Sequence, residues 1–576
     1  MKFLTAQLSA FLQIKQARKN VRALLKLVGV LLALVVAFSI IFHVLKQAEG
    51  EEYSWLTGFY WTLTVMSTLG FGDITFQSDA GRAFSMVVLL SGVTFLLVLL
   101  PFTFIQFFYA PWIEAQRQLR APRELPEETR DHVILTRYDA VAVSLIERLE
   151  LYHRDYVVIE PELSRALELH DLGLNVVTGD RDDRETYRRL RAHRAALVVA
   201  SDDDFVNTNI AFTIRELTKE TPLVSLARDP DSVDVLQLAG ASHVLELAQM
   251  LGRSLARRTL GGETRANIVG RFDGLVIAEA PVLGTPLVGK RIADSGLRQA
   301  TGLSIVGIWQ RGHFTPASPD VLIEPSSVLV LAGTEPQLAA FDDLCVIYNT
   351  PDDPVLILGG GRVGRCAAAA LAERGVPYRI VEKNPAMIKD PDLYVLGSAA
   401  DFSVLERAGI RKAPTTIVTT NDDAVNIYLT IYCRKLRPNM QIVSRSNLER
   451  NISTLHRAGA DLVMSYASMG ADAIFNVLEQ SEIFMVAEGL DVFRSRVPRR
   501  VVGSSLAESG IRERTGCLVL AIERDDQMQV SPPPTTTLEG DDELILIGTT
   551  EAERRFMTEY RDRGEAGRAR PAGAGA

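Results

Sequence analysis

YSWLTGFYWTLTVM (Tyr53–Met66) runs directly into STLGFGD (Ser67–Asp73), and this passage decides how the front of the chain folds. The first part is aromatic and apolar, but it is too short to cross a bilayer, whose ~30 Å core needs about 20 helical residues. In the second part Gly70 and Gly72 alternate with larger residues, and glycine accepts backbone conformations closed to other side chains. Such a stretch can turn successive carbonyls to one side, as a re-entrant segment must where it lines an aqueous cavity. Oxygens aimed in this way can replace the hydration shell of a cation.

On either side lies an uncharged apolar run: LVGVLLALVVAFSIIFHVL at 27–45 and AFSMVVLLSGVTFLLVLLPFTFIQFF at 83–108. Each is long enough to span a membrane as a helix. Lys2, Lys15, Arg18, Lys19, Arg22 and Lys26 precede the first run, and Arg117, Arg120 and Arg123 follow the second. Between them Glu49, Glu51, Glu52, Asp73 and Asp79 outweigh Lys46 and Arg82. The bias of Lys and Arg places both termini in the cytoplasm. A basic N-terminal helix over 1–26 and a pore domain over 27–110, with pore helix and filter at 53–73, follow from this pattern.

Span, short aromatic helix, Thr-Leu-Gly-Phe-Gly-Asp, span: this order resembles the pore of potassium channels, whose usual signature is Thr-Val-Gly-Tyr-Gly-Asp. The resemblance implies a selectivity filter at Thr68, Leu69, Gly70, Phe71 and Gly72 that binds bare K+. It also implies a homotetramer in membrane lipid, since one strand cannot surround an ion. Leu69 replaces Val and Phe71 replaces Tyr, so the bracing hydrogen bond of the Tyr hydroxyl is expected to be lost. In the second span Gly92 and Pro101 are points where a helix can bend. Gly92 is read as hinge, and the apolar stretch Leu96–Phe104, with Leu97 near its start, as inner gate.

The remaining sequence has ordinary globular character. The chain has 576 residues, enough for about four folding units, with 47% apolar and 23% charged residues. Its net charge of −9 argues against nucleic acid as a partner. Four cysteines, Cys345, Cys366, Cys433 and Cys517, show no Cys-x-x-Cys spacing and read as reduced thiols. A linker at 111–130 leads into a long internal repeat. Val133-Ile-Leu matches Val355-Leu-Ile, Ser201-Asp-Asp matches Thr420-Asn-Asp, and Ala239-Gly-Ala matches Ala458-Gly-Ala. Val288-Gly289 through Gly302 recurs as Val502-Gly503 through Gly516. A repeat of this length means duplicated domains.

Each copy opens with short β-branched runs separated by helical stretches, the pattern of a doubly wound parallel sheet, and closes with a small α+β lobe. The predicted lobes are 131–260 and 261–345, then 352–480 and 481–556, with a disordered tail at 563–576. The combination resembles the RCK family (TrkA-N and TrkA-C domains), the regulators of potassium conductance. The fold class is therefore a membrane α-helical pore, two spans plus a re-entrant pore helix, followed by two Rossmann-like α/β RCK repeats.

In the second copy Val355–Leu358 runs into Gly359-Gly360-Gly361-Arg362-Val363-Gly364, a G-x-G-x-x-G turn between strand and helix. Gly359 makes the turn, Gly361 admits a pyrophosphate, Gly364 packs helix on strand, and Arg362 and Val363 open the helix whose amides hold the anion. Glu382 closes the next strand, where a carboxylate accepts hydrogen bonds from a ribose. The family resemblance adds Asp401 and the Thr420-Asn421 turn to this pocket. The predicted ligand is an NAD- or ADP-type nucleotide. The first copy has Thr136-Arg137-Tyr138-Asp139-Ala140-Val141 instead, in which Tyr138 and Val141 obstruct the site while Arg137 can reach a phosphate.

Acid clusters at Asp202–Asp204, at Asp229, Asp231 and Asp234, and at Asp541–Glu543 offer hard oxygens suited to Ca2+, although their spacing defines no ligand set. The function expected is a ligand-gated potassium channel and not an enzyme, with a ring of RCK domains shifting the pore between closed and open. A membrane-anchored NAD-dependent enzyme is the alternative that a dinucleotide fold would permit. The second copy offers no catalytic set for it: His456, its one histidine, is expected at the surface. The other alternative, a regulatory subunit of a separate potassium transporter, leaves the attached pore unexplained.

Overall fold

The computed structural model describes residues 15–109, 122–259, 266–346 without 273 and 283, 353–479, and 484–560 without 488, 489 and 526. The tail at 563–576, most of the basic segment 1–26 and most of the 111–130 linker lie outside these residues. Two compact units divide after Pro122.

The first unit is helical: α1 (Lys15–Ala48), α2 (Trp55–Met66) and α3 (Asp79–Gly92). Ser54 and Ser78 cap α2 and α3, their hydroxyls accepting from the Thr57 and Gly81 amides. Segments long and apolar enough to span a membrane run over Leu25–Ala48 and Asp79–Thr103. The first therefore outlasts the uncharged run at 27–45 by three residues. Lys46 is buried there, its ammonium 3.0 Å from both Glu49 and Glu51 and 2.8 Å from the Thr75 carbonyl. Glu49 also accepts from the Gln77 and Ser78 amides and the Ser78 hydroxyl, clasping the end of α1 to the start of α3. An aromatic core of Phe42, Trp61, Phe76 and Phe84 fills the space between the helices.

Beyond Gly92 the second span is segmented: π-helical turns at Val93–Leu99, a short α segment Leu100–Phe104, then π-helix again at Ile105–Tyr109. Pro101 lies in the first turn of the short segment, where its missing N–H is tolerated, and the widened turn before it relieves the proline ring's clash with the preceding carbonyls. The irregularity that the sequence assigns to a bend is thus spread over a whole segment.

Among the described residues the second unit contains four sheets. The first copy has strands β1 (Val133–Leu135), β2 (Tyr156–Glu160), β3 (Val176–Thr178), β4 (Leu197–Ala200), β5 (Leu223–Leu226) and β6 (His243–Leu245). They form a parallel sheet in the order β3-β2-β1-β4-β5-β6. Its small lobe is an antiparallel sheet of β7 (Asn267–Phe272), β8 (Leu275–Pro281), β9 (Ser304–Gln310), β10 (His313–Pro316) and β11 (Val328–Gly333). The second copy repeats both. Strands β12 (Val355–Leu358), β13 (Tyr378–Glu382), β14 (Tyr394–Leu396), β15 (Thr415–Val418), β16 (Gln441–Ser446) and β17 (Leu462–Ser465) take the order β14-β13-β12-β15-β16-β17. Its small lobe orders β18 (Phe484–Ala487), β19 (Leu490–Arg496), β20 (Leu518–Arg524), β21 (Gln527–Val530) and β22 (Glu543–Thr549) as β18-β19-β22-β20-β21.

The copies are joined by exchange. Helix Leu247–Arg257 of the first packs on Arg362–Glu373 of the second, and Tyr466–Glu479 of the second packs on Ala140–Leu151 of the first. Glycines permit the close approach: a Cβ on Gly252 would lie 2.5 Å from the Cys366 Cβ, and one on Gly470 would lie 2.9 Å from Leu247 and Val141. One continuous core holds Leu145 of the first copy with Phe475 and Phe493 of the second. Another holds Leu251 and Leu275 with Val363 and Ile357. A shift in the second copy is therefore felt in the first.

Charge is buried in this exchange. Arg148 lies 2.6 Å from Asp472 and 3.4 Å from Asp491, and Tyr152 donates to Glu553 at 2.6 Å. Burial pushes the Asp472 carboxyl up to about 6, against the pull of Arg148 and with further help from the charges of Glu553 and Glu449. A carboxyl whose folded pKa is raised favours folding below its unfolded value near 4, and that contribution is lost as the pH rises through about 6. Asp472→Asn removes this titration, so its melting temperature is expected to fall less between pH 4.5 and pH 7.5 than that of the wild type. An equal fall in both proteins would place the pH dependence on another group.

His456 departs from its expected place at the surface. It is buried, bonds through Nδ1 to the Ala460 carbonyl, and is kept neutral by burial, which lowers its pKa to about 4.

Candidate functional site

Two sites emerge, one in each unit. In the first, φ is −81° at Ser67, +63° at Thr68, +47° at Gly70 and +77° at Gly72. Leu69 and Phe71, between them, stay out of the left-handed region. Alternating handedness along consecutive residues turns successive carbonyls to the same side instead of opposite sides. The strand starts where α2 ends, with the Leu69 and Gly70 amides donating to the Thr64 carbonyl at 3.0 and 3.2 Å. The brace expected to be lost with a tyrosine at position 71 is supplied otherwise. Tyr60 stacks on Phe71 at 6.4 Å and donates to Asp73 at 3.1 Å, while the Trp61 indole donates to the Ile74 carbonyl at 3.1 Å. The pairing of Tyr60 with Asp73 is the feature missed in the sequence; a tyrosine two turns back on an aromatic helix was its only signal.

Gly92 has ordinary helical angles, φ −59° and ψ −48°, so its backbone freedom is not used. It is buried against the end of α2, and an added Cβ would fall 2.2 Å from the Met66 carbonyl oxygen. Leu97 lies in the π-helical segment and is half exposed in the single chain.

The second site is the turn after β12. Gly359 has φ +113°, with Thr420 alongside: a Cβ there would lie 3.2 Å from the Thr420 nitrogen. Gly364 lies so close to the Gly359 carbonyl that a Cβ would approach within 2.0 Å. In contrast, a Cβ on Gly361 meets nothing within 4 Å, so space stands open in front of the helix Arg362–Glu373. No side chain caps that helix, and Val363 is buried behind it. Free amides facing open space bind anions. Glu382 closes β13 with one oxygen accepting from the Gly360 amide at 2.7 Å and the other from the Asn384 amide at 2.8 Å. Asn421 accepts from Arg445 at 3.0 Å and, through its carbonyl, from Asn447 at 2.8 Å. Asp401 is used differently, as the N-cap of Phe402–Ala408, accepting from Ser403 at 2.9 Å.

The first copy closes the same location with its own side chains. Val133 and Val355 open equivalent strands, so Asp139 occupies the place of Gly361. Its carboxylate caps the helix Ala140–Leu151 by accepting from the Ala142 amide at 2.9 Å. Arg137 is 3.7 Å from Asp202, which also pairs with Arg181 at 3.0 Å and accepts from Thr136 at 3.3 Å. The arginine that could have reached a phosphate is neutralised internally.

The acid clusters are likewise engaged in structure. Asp203 and Asp229 cap helical turns, Asp204 accepts from the Arg228 and Asp229 amides, and buried Asp542 forms a two-pronged pair with Arg524 at 2.6 Å. Among the described residues no group of three or more His, Cys, Asp or Glu side chains converges as a metal site.

Comparison with known proteins matches this architecture part by part. Residues 30–109 match the ion channel family, 133–247 and 355–466 the TrkA-N domain, and 277–346 and 492–559 the TrkA-C domain. The solved GsuK channel is 40% identical over 94% of this chain and 99% of that one, with a TM-score of 0.56. The chain belongs to the RCK potassium channel family. Another structure of that relative, described as GsuK channel bound to NAD, matches with the same identity, coverage and TM-score. Among curated RCK-family relatives, potassium channel protein 1 of Methanocaldococcus jannaschii is 30% identical over 210 residues, 34% of this chain and 63% of that protein. Probable potassium channel protein 2 of the same organism is 28% identical over 224 residues, 35% of this chain and 65% of that one. The chain thus spans a little under two thirds of each of these curated relatives. The helical unit, with its two segments long and apolar enough to span a membrane, falls within the ion channel family match, and both Rossmann-like copies fall within the TrkA-N and TrkA-C matches.

Proposed function

We propose that this chain is a potassium-selective channel gated by an adenine nucleotide bound to its second RCK copy. The alternating backbone of Thr68–Gly72 carries the reading: it presents a row of carbonyl oxygens between two membrane-length helices. Four chains around one axis complete the coordination, in a plasma membrane with both termini cytoplasmic, as the Lys and Arg distribution favours. The segmented stretch around Leu97 is the inner gate.

Nucleotide is read at Gly359, Gly361, Arg362, Val363, Gly364, Glu382, Thr420 and Asn421. The ligand class is NAD or ADP; the NAD-bound GsuK structure and the open glycine cradle both favour it. Asp401 acts by positioning the rim of that pocket. The first copy is closed to the same ligand by Asp139. Gating is linkage: the ligand shifts the pore by the difference in its affinity for two arrangements of the sensor unit, and a tenfold change in open probability needs only about 1.4 kcal/mol.

K+ flux from proteoliposomes, with and without NAD and ADP, tests this reading. Flux of K+ in preference to Na+, changed by nucleotide, is the expected result. Liposomes that pass neither ion under any of these conditions would overturn it. The same flux assay with added Ca2+ reports whether divalent ions act at all.

A further inference from the structure

At the mouth of the second copy's turn Arg445 lies over the Tyr466 ring, and Arg362 reaches the backbone of Arg228. Arg445 is at the end of β16, more than nine-tenths buried, and its Nε has no hydrogen-bond partner. Its two Nη atoms are held by the Asn421 and Asn447 side chains, and its plane lies over the Tyr466 ring at 5.3 Å. Arg362, the first residue of the helix behind the open cradle, donates to the Arg228 carbonyl of the first copy at 2.9 Å. Arg228 follows β5, and its side chain is exposed.

Burial raises the Tyr466 phenol, while the charges of Arg362, Arg445 and Arg228 all pull against that rise and Asp139 adds to it. Three cations therefore act on one point, and among the described residues none of the three is ion-paired to a carboxylate. The nearby acids are committed elsewhere: Asp423 is bonded by Asn447, Leu448 and Asn451, and Asp139 by Ala142. The charge of Asp423 reaches Arg445, yet no carboxylate pairs with its guanidinium, and a buried guanidinium beside two others is a costly arrangement unless an anion joins it.

We infer that Arg228, contributed by the first copy, completes the second copy's ligand site by joining Arg362 and Arg445 as the receptor for a second, distal phosphate. This rests on the nucleotide reading above and deepens it. One phosphate is met by the free amides at Gly361–Val363, whereas a linked second phosphate is met by the arginine cluster. The site thereby selects ligands with two joined phosphates, a nucleoside diphosphate or a dinucleotide, over monophosphates. Because Arg228 belongs to the other copy, occupancy fastens the two copies together at this edge.

The full-length channel in detergent, titrated calorimetrically with adenosine, AMP, ADP and NAD, tests the assignment. Wild type is expected to bind ADP at least 10-fold more tightly than AMP. Arg228→Ala removes only an exposed side chain and keeps the backbone carbonyl that Arg362 uses. It is expected to weaken ADP and NAD by about 10- to 100-fold while moving AMP and adenosine by less than about twofold. Arg228→Lys should recover part of the loss. If wild type binds ADP but Arg228→Ala leaves its preference over AMP unchanged, or weakens both alike, this inference falls and the nucleotide reading stands. If wild type binds none of the four, the nucleotide reading fails and this inference falls with it.

Discussion

Gly361→Asp is expected to abolish nucleotide binding while leaving the fold and the pore intact. The backbone tolerates the change, because φ at this position is −65° and a Cβ would touch nothing within 4 Å. An aspartate there is an N-cap, which favours the helix over glycine by about a few tenths of a kcal/mol. Its charge, however, falls where the amides would receive a phosphate. Two unit charges about 4 Å apart at an effective dielectric near 20 repel by about 4 kcal/mol, roughly a thousandfold in affinity. The first copy has already made this substitution: Asp139 caps its own helix from the same position. Calorimetry should show no ADP or NAD binding to the variant at millimolar ligand, with a melting temperature equal to or above that of the wild type. Binding within tenfold of wild type would place the ligand elsewhere, and unchanged basal K+ flux would show that the pore was spared.

Asp139 and Gly361 also show why so much of this unit was legible in the sequence. A repeat recurring at nearly constant separation fixes two copies of one fold, and glycines present in one turn and missing from the other separate an open site from a closed one, although the sequence points to Tyr138 and Val141 as the obstruction and the structure to Asp139. The pairing of the copies was not legible. Helices Leu247–Arg257 and Tyr466–Glu479 pack on the opposite copy, an exchange that leaves the hydrophobic period of each helix unchanged. Only Gly252 and Gly470, small residues within helices, mark the contact. Arg445 was missed for a related reason. A single charge in the run Gln441–Ser446 reads as a strand end facing solvent, whereas the whole strand is buried. The same blindness applies in the membrane, where a span apolar on every side carries no face to read, so neither the π-helical segment nor the partner of Gly92 could be foreseen.

Gly92→Ala should destroy conduction, because the position is a close contact with the end of α2. Its Cβ would fall 2.2 Å from the Met66 carbonyl oxygen and 2.3 Å from the Met66 Cα. Both are backbone atoms at the end of α2, so no flexible side chain can yield, and α3 or α2 must move by about 1 Å to reach ordinary contact distance. Met66 is followed directly by the filter, whose Leu69 and Gly70 amides hang from the Thr64 carbonyl on the same turn. A displacement there is passed to the row of carbonyls, which must keep its spacing to replace an ion's hydration shell. The two accounts of Gly92 predict opposite signs for stability. As a free hinge in a helix, replacement by alanine would stabilise the pore unit by about 1 kcal/mol. As a contact, overpacking costs about 1–3 kcal/mol. K+ flux should fall at least tenfold in the variant, its melting temperature should drop, and ADP binding by the sensor unit should be unchanged. A variant that melts higher and still conducts would return Gly92 to the role of hinge and leave the close packing of α3 against α2 without functional weight.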